Sequence, residues 1–120
     1  GTGKAYTYID IDVNNMKGLA QRIGDPAAQL AMKEMMGIVA DTMKEKGLSA
    51  KSYRHSTHDQ GDEMSMLVEG DEKAVKAALK EAEARLAKYT KDKGYDTIPH
   101  SKEGRKPGVG LAFGTEPVTS

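Results

Sequence analysis

The chain has 120 residues, enough for one domain with a core of its own and too few for two. Its 18 basic and 18 acidic residues cancel, so the overall charge does not indicate a nucleic acid or a membrane surface as partner. There is no cysteine, which excludes a disulfide framework and a thiolate metal site. Because no apolar run could cross a bilayer and no signal peptide is visible, we expect no membrane segment and a cytoplasmic location.

The first strand is predicted over residues 5–13, AYTYIDIDV, where apolar and polar side chains alternate and β-forming residues are frequent. Successive side chains of a strand point to opposite faces of the sheet. Ile9 and Ile11 therefore share one face, and Asp10 and Asp12 share the other. The alternation predicts a pair of acids on one surface.

Two helices are predicted next. Residues 15–23 fit a short helix, and Gly24-Asp25-Pro26 ends it and starts a second one, with Asp25 as N-cap and Pro26 at the first helical position. The second helix is expected to reach about residue 46. Its inward face is predicted from apolar residues at helical spacing: Leu30, Met32, Met35, Met36, Ile38, Val39 and Met43. We interpret the methionines as core filler, in preference to a stripe that binds a metal or a partner.

The second half of the chain is predicted to return to strands. The elements are strands at 50–56 and 63–69 joined as a hairpin around 58–62, a helix at 71–91, a loop or extended arm at 92–107, and a strand at 108–114. The order β-α-α-β-β-α-β predicts an α+β sandwich with an antiparallel hairpin at the centre of the sheet and helices beside it.

The sequence begins Gly1-Thr2-Gly3, without a methionine. We expect residues 1–4 to be a linker or an engineered remnant, residues 5–114 to form the domain, and residues 115–120 to be a tail cut from a longer chain. Other domains of that longer chain would then be partners of this one.

Acidic residues recur in the predicted hairpin. The stretch HDQGDEMSML, residues 58–67, places Asp62 and Glu63 behind Gly61 and ahead of an apolar, alternating run. If the hairpin lies beside the first strand, Asp12 meets both acids. Such hard oxygen ligands suit Mg²⁺, which is bound by carboxylates together with substrate phosphates. Taken alone, the two acids also fit a solvated turn.

Three segments in order resemble the motifs of the GGDEF family, the diguanylate cyclase domains, whose fold is related to the palm of nucleotidyl cyclases and polymerases. DVNNMKGLAQRIGDPAAQ resembles the family's first motif, HDQGDEMSMLVEG its GGDEF signature, and GVGLAFG its last strand. The likeness covers about residues 5–114. It implies a palm-like domain that binds magnesium and a nucleoside triphosphate, and in active members forms a cyclic dinucleotide such as c-di-GMP.

The resemblance implies a metal site and a catalytic acid. Asp12 and Asp62 match the family's metal-binding acids, and the backbone carbonyl of Val13 would be a further metal ligand. Asp62 and Glu63 together match the catalytic acids of the signature. These assignments come from the family motif alone.

The resemblance also implies a phosphate site. Lys17 matches a lysine that helps to hold the triphosphate, and backbone N–H groups around Asn14, Asn15 and Met16 would assist it. The metal and phosphate half of the family site is therefore expected in this chain.

Several motif positions depart from the family. The guanine-pairing asparagine falls on Ala20 and the second guanine-reading acid on Gln29, so recognition of guanine is expected to be lost. The first glycine of the signature is Gln60, where a side chain could obstruct the substrate. The inhibitory product-binding motif falls on KSYR at 51–54 and is absent, so we expect no product inhibition of that kind.

Two other sets of polar residues allow more than one functional interpretation. His55 and His58 near Asp59 could suggest a zinc site, but three hairpin residues without helical spacing or a fourth ligand disfavour it. Lys102, Arg105 and Lys106 could touch phosphate of a nucleic acid or of a neighbouring subunit, whereas a solvated loop is the simpler interpretation. Nucleic acid is therefore not expected as a partner.

Two functional hypotheses remain open. In the favoured one, the domain is degenerate and serves as a nucleotide-binding, regulatory or interaction module. In the other, it is an active magnesium-dependent nucleotidyl cyclase that works as a homodimer, because each subunit of a diguanylate cyclase brings one nucleotide.

Overall fold

The computed structural model describes residues 4–58 and 61–118, with the backbone only at 52–58 and 61–62. Its elements follow the predicted order. They are β1 (Tyr6–Asn14), α1 (Met16–Ile23), α2 (Asp25–Glu45), β2 (Ser49–His58), β3 (Gly61–Glu69), α3 (Glu72–Lys93), a short 3-10 turn (Tyr95–Thr97) and β4 (Gly110–Val118). The predicted α+β fold class is confirmed.

The four strands form one antiparallel sheet in the order β2-β3-β1-β4. The hairpin β2–β3 therefore contributes only β3 to the centre of the sheet, and β2 lies at an edge. β1 pairs with β3 on one side and with β4 on the other. The expectation that the first strand lies beside the hairpin is confirmed.

One face of the sheet packs against the helices. Ile9 and Ile11 of β1 and Met64 and Met66 of β3 are buried on this face. The helices cover it with one continuous core, to which α2 contributes Ala28, Ala31, Met32, Met35, Met36, Val39 and Met43, and α3 contributes Val75, Ala78, Leu79, Ala82 and Leu86. The interpretation of the α2 methionines as core filler is confirmed.

Two predictions about α2 need correction. Leu30, expected on the inward face of α2, is 59% exposed, because it lines an open cavity between α2 and the hairpin strands instead of the packed core. The N-cap of α2 is Gly24 at φ 89°, and Asp25 is the first helical residue. A difference of one residue at the end of a helix is common.

The last strand is longer than predicted. It runs from Gly110 to Val118, and its register pairs Tyr6 with Val118. The sequence predicts this strand over residues 108–114 only. The half-buried positions continue past Gly114 through Thr115, so residues 115–118 are part of the sheet.

No helix in the described part of the chain combines the length and apolar character needed to cross a bilayer. The location in the cell stays a prediction.

An arginine joins the two long helices. Both terminal nitrogens of Arg85 on α3 donate to the carboxylate of Glu45 at the end of α2, at 2.6 and 3.0 Å. Arg85 also donates to Oγ1 of the buried Thr42 and to Glu81 one turn earlier on α3, both at 3.2 Å. The hydrogen bond from Arg85 and its charge hold the pKa of the Glu45 carboxyl below its ordinary value.

Replacing Arg85 with methionine is expected to lower the melting temperature at pH 7 by no more than about 3 °C, because the pair is largely solvent-exposed. A depressed carboxyl pKa stabilises the fold above the unfolded-state value and loses that effect as the pH falls through the folded-state value. The difference between wild type and variant should therefore shrink below about pH 4.5. Calorimetry at pH 7 and pH 3 measures this difference in melting temperature.

Lys88→Met, which breaks the pair with Asp92 within one helix, is the matched control and should change the melting temperature less. An equal difference at both pH values would contradict the role of Glu45.

Candidate functional site

The turn between β1 and α1 is built on Asn15. This residue has φ 63° and ψ 39°, and within residues 4–58 and 61–118 it is the one non-glycine residue with positive φ. Asparagine tolerates this left-handed conformation because its short polar side chain can bond to nearby backbone. The side chain is only 6% exposed, so it is a structural part of the turn.

Every polar atom of the Asn15 side chain is used. Its Oδ1 accepts from the backbone N of Gly18, at 3.2 Å, and thereby caps α1. The same oxygen accepts from the backbone N of Ser101 at 3.0 Å. Its Nδ2 donates to the carbonyl oxygens of Pro99 at 3.1 Å and Gly108 at 3.0 Å. One side chain thus joins the β1–α1 turn to the loop before β4.

The sheet register brings two of the predicted acids together. Asp12 on β1 lies directly opposite Glu63 on β3. Residues opposite each other in an antiparallel pair project from the same face, with Cβ atoms about 4.5–5.5 Å apart. Both residues are exposed, on the face of the sheet that the helices leave uncovered. The two carboxylates can therefore converge on one cation.

The neighbouring strand leaves room over these acids. Asp12 lies opposite Ala112 of β4, and Asp10 lies opposite Gly114. Neither β4 residue carries a side chain larger than a methyl group, so the β4 side of the acids is not covered by a bulky neighbour. Across β3, Asp10 faces Ser65, so only Asp12 has an acid opposite it.

The third predicted acid is not placed as a side chain. The backbone of Asp62 pairs with Thr57 in the hairpin, next to Glu63, but its carboxylate lies outside the described residues. Among the side chains that the structure describes, no three acids or histidines gather closely enough to hold a metal. The structure thus places a pair of acids, Asp12 and Glu63, and the role of Asp62 stays a prediction.

The predicted phosphate residues surround the turn. Lys17 is exposed in the first turn of α1, and Asn14 is exposed at the end of β1, opposite Gly110. Met16 packs partly against the core, and Val13 is half-buried opposite Leu111. Asp12 and Lys17 therefore flank the same turn, one on each side of Asn15.

The base-reading positions of the motif lie on the helices. Ala20 on α1 is partly buried against the core, and Gln29 on α2 is exposed. Gln29 lines a largely apolar cavity of about 710 Å³ between α2 and the hairpin strands, together with Leu30, Met36 and Met66. This cavity could not be predicted from the sequence, because the apolar spacing of α2 places Leu30 in the core. The side chains of Gln60, and of His55, His58 and Asp59 in the zinc hypothesis, lie outside the described residues.

The side-chain role of Asn15 was also missed. The motif assigned only backbone N–H groups to positions 14–16. An N-cap signal was present, since an asparagine stands three residues before Gly18 at the start of a helix. Its hydrogen bonds to the loop before β4 join residues far apart in the sequence, so no local sequence pattern indicates them.

No protein-family model and no curated protein matches the sequence, but solved structures do. The GGDEF domain of DgcB from Caulobacter crescentus in complex with c-di-GMP matches 98% of this chain and 61% of its own, with a TM-score of 0.54 and 12% identity. A structure of the DgcB coiled coil and GGDEF domain matches 98% of this chain and 55% of its own, at 0.55 and 12%. An EAL/GGDEF domain protein from M. capsulatus matches 97% and 65%, at 0.53 and 13%.

The chain spans less than two thirds of the length of each of these structures. At identities of 12 and 13%, these matches establish a similar fold but not a shared chemistry, which must be argued from the residues of the site. The antiparallel sheet with helices on one face and the matches to solved structures indicate the same fold. The chain has the palm-like α+β fold of GGDEF domains.

Proposed function

We propose that this domain binds magnesium together with a nucleoside triphosphate and acts as a nucleotide-binding regulatory module. The observation that carries the proposal is the register that sets Asp12 opposite Glu63, beside the β1–α1 turn. The two acids could hold a metal cation. Lys17, at the start of α1 beside the same turn, could bind the phosphates.

The donor set fits magnesium. Mg²⁺ keeps several waters and is commonly held by one or two carboxylates plus substrate phosphates, so two acids are sufficient. Asp12 and Glu63 would hold it, with Asp62 and the carbonyl of Val13 as further ligands implied by the family motif. When bound, the ion would neutralise phosphate charge and orient the triphosphate.

The phosphate side of the proposal depends on charge and position. Lys17 is exposed one residue inside α1, where its ammonium group can reach phosphate oxygens beside the turn. The family motif implies that backbone N–H groups around Asn14, Asn15 and Met16 would assist it. These residues would position the triphosphate between the acids and the start of α1.

The base side supports a binding module rather than a diguanylate cyclase. Ala20 has no polar side-chain atom, and the amide of Gln29 cannot give the guanine N1–H and N2 donors a carboxylate. A site without those pairings loses discrimination for guanine. We therefore propose that GTP is not preferred over ATP and that turnover to c-di-GMP is lost.

One observation favours a second candidate, an active nucleotidyl cyclase of altered base preference. Glu63, which matches the signature acid associated with catalysis, lies opposite Asp12, so both acids could act on one metal-bound triphosphate. A homodimer would then be needed, with one nucleotide from each subunit. The DgcB structures matched above contain c-di-GMP, which makes that product the first to look for.

The test is calorimetric titration of GTP, ATP and non-hydrolysable analogues, with and without magnesium, into the wild type and an Asp12→Asn variant. We expect magnesium-dependent binding by the wild type and a loss of at least about tenfold in affinity in the variant. Asp10→Asn is the matched control, because it removes the same charge from the same face of β1, and we expect a change of less than about threefold.

Other results have defined meanings. Equal losses in the Asp12 and Asp10 variants would show a general charge effect and overturn the assigned site. Absence of binding by a folded wild type would overturn nucleotide binding altogether. Chromatography of the reaction mixture separates the two candidates, since a cyclic dinucleotide peak that is lost in Glu63→Gln would make the domain an enzyme.

A further inference from the structure

The loop before β4 is an ordered element fixed to the candidate site. We call residues 99–107, PHSKEGRKP, the basic arm. Its base is closed by a hydrogen bond from the backbone N of Gly108 to the carbonyl of Ile98, at 2.8 Å. Ile98 is buried, so the arm starts from the core. A second hydrogen bond lies within the arm, from the backbone N of Lys102 to Nδ1 of His100, at 3.0 Å.

Asn15 attaches this arm to the β1–α1 turn. The backbone N of Ser101 donates to its Oδ1 at 3.0 Å, and its Nδ2 donates to the carbonyls of Pro99 and Gly108. Consecutive Cα atoms are about 3.8 Å apart, so Lys102 follows directly on a residue that contacts the turn. The arm is therefore held against the segment that carries the proposed phosphate site.

The arm carries an excess of positive charge. It has Lys102, Arg105 and Lys106 against the single acid Glu103, and all four are exposed. In the part of the chain that the structure describes, none of the three cations has an ion pair, whereas Lys4, Lys51 and Arg85 do. Their charges are available to an anion.

The hydrogen bonds of Asn15 also bring the arm near the segment that carries the proposed metal site. Asp12 precedes Asn15 by three residues of extended strand, which span about 10 Å. Lys17 follows Asn15 by two residues in α1. The arm therefore lies beside the turn that Asp12 and Lys17 flank, and its long lysine and arginine side chains are suited to bind phosphate.

We infer that the basic arm binds the terminal phosphates of the nucleotide that Asp12 and Glu63 hold through magnesium. The inference rests on the proposed function and adds the residues that select a triphosphate. Lys102, Arg105 and Lys106 contribute the charge, and Asn15 acts as the positioning residue that sets the arm in place. Nucleic acid is the alternative occupant; it is less favoured because the 18 basic and 18 acidic residues of the chain cancel.

The experiment compares the wild type with a triple variant, Lys102→Ala/Arg105→Ala/Lys106→Ala. Calorimetry with magnesium measures ATP, GTP, inorganic triphosphate and AMP. We expect the triple variant to bind the triphosphates at least about tenfold more weakly and AMP within about twofold of the wild type. The dependence of triphosphate affinity on salt should also decrease.

The matched control is Lys44→Ala/Lys73→Ala/Lys80→Ala, which removes the same charge from exposed helix positions. Lys44 and Lys73 lie near the ends of α2 and α3 that adjoin the pairing of Ser49 with Glu69, at the other end of the sheet from the turn. We expect it to bind triphosphate within about twofold of the wild type. Melting temperatures of both variants check that each is folded.

The outcomes distinguish this inference from the proposed function. If the wild type binds triphosphate and both triple variants bind it equally well, the arm inference is overturned and the proposed function stands. A wild type that binds no triphosphate overturns both. If a single-stranded DNA oligonucleotide binds the wild type and loses affinity in the arm variant, while triphosphate binding is unchanged, the arm is a nucleic-acid contact and the inference is wrong.

Discussion

Replacing Asn15 with alanine should lower the free energy of unfolding by about 3–5 kcal/mol, the largest effect we expect from any single polar substitution in this domain. The change removes four hydrogen bonds from a buried side chain. It also leaves alanine in a left-handed conformation, which costs about 1 kcal/mol. Urea unfolding followed by circular dichroism measures the loss.

Asn15→Gly separates the two causes. Glycine adopts the positive φ without strain, so this variant should be about 1 kcal/mol more stable than the alanine variant and still well below the wild type. Equal stability of the two variants would show that backbone strain contributes nothing. A loss below about 1 kcal/mol in both would contradict the role of the side chain in joining the turn to the basic arm.

Gly18→Ala should be the second large effect, a loss of about 2–3 kcal/mol, although alanine is normally the better helix former. A Cβ at Gly18 would overlap Oδ1 of Asn15 and lie 2.7 Å from its Cγ and Nδ2. That side chain cannot move aside without breaking its bonds to the arm. Gly37→Ala in α2 is the matched control, because its Cβ meets nothing within 4 Å, and it should stabilise the domain by about 0.5–1 kcal/mol.

The double variant Asn15→Ala/Gly18→Ala tests whether the two residues act together. Once the Asn15 side chain is truncated, the clash is gone, so Gly18→Ala should cost little or become stabilising in that background. Additive losses in urea unfolding would mean that the alanine at position 18 acts through another contact.

The sequence predicted the elements that have a strong local pattern. The alternation over AYTYIDIDV identified β1 and the face that carries Asp10 and Asp12. Helical spacing and the flanking glycines identified α2 and α3, and Asp71 caps α3 by accepting from Ala74 at 2.8 Å. The pairing of Asp12 with the hairpin rested on the assumption that the first strand lies beside it, because the sequence alone does not specify the register between distant strands.

Other features could not be predicted because they depend on distant contacts. The partners of the Asn15 side chain stand 84, 86 and 93 residues away along the chain. Leu30 continues the apolar spacing of α2 but lines the open cavity beside the hairpin strands and stays 59% exposed. The last part of β4 is held by pairing with Tyr6 and Thr7 rather than by its own composition, which includes Glu116 and Pro117.

The long-range bonds of Asn15 also bear on the order of folding. A contact between residues so far apart in the chain forms only after its loop-closure entropy has been offset, so the turn reaches its final shape when β4 has joined the sheet. A partly folded chain would have both acids and Lys17 without the arm held beside them. If the proposed nucleotide binding is correct, nucleotide affinity would report completion of the fold, and bound nucleotide would raise the free energy of unfolding by mass action on the native state.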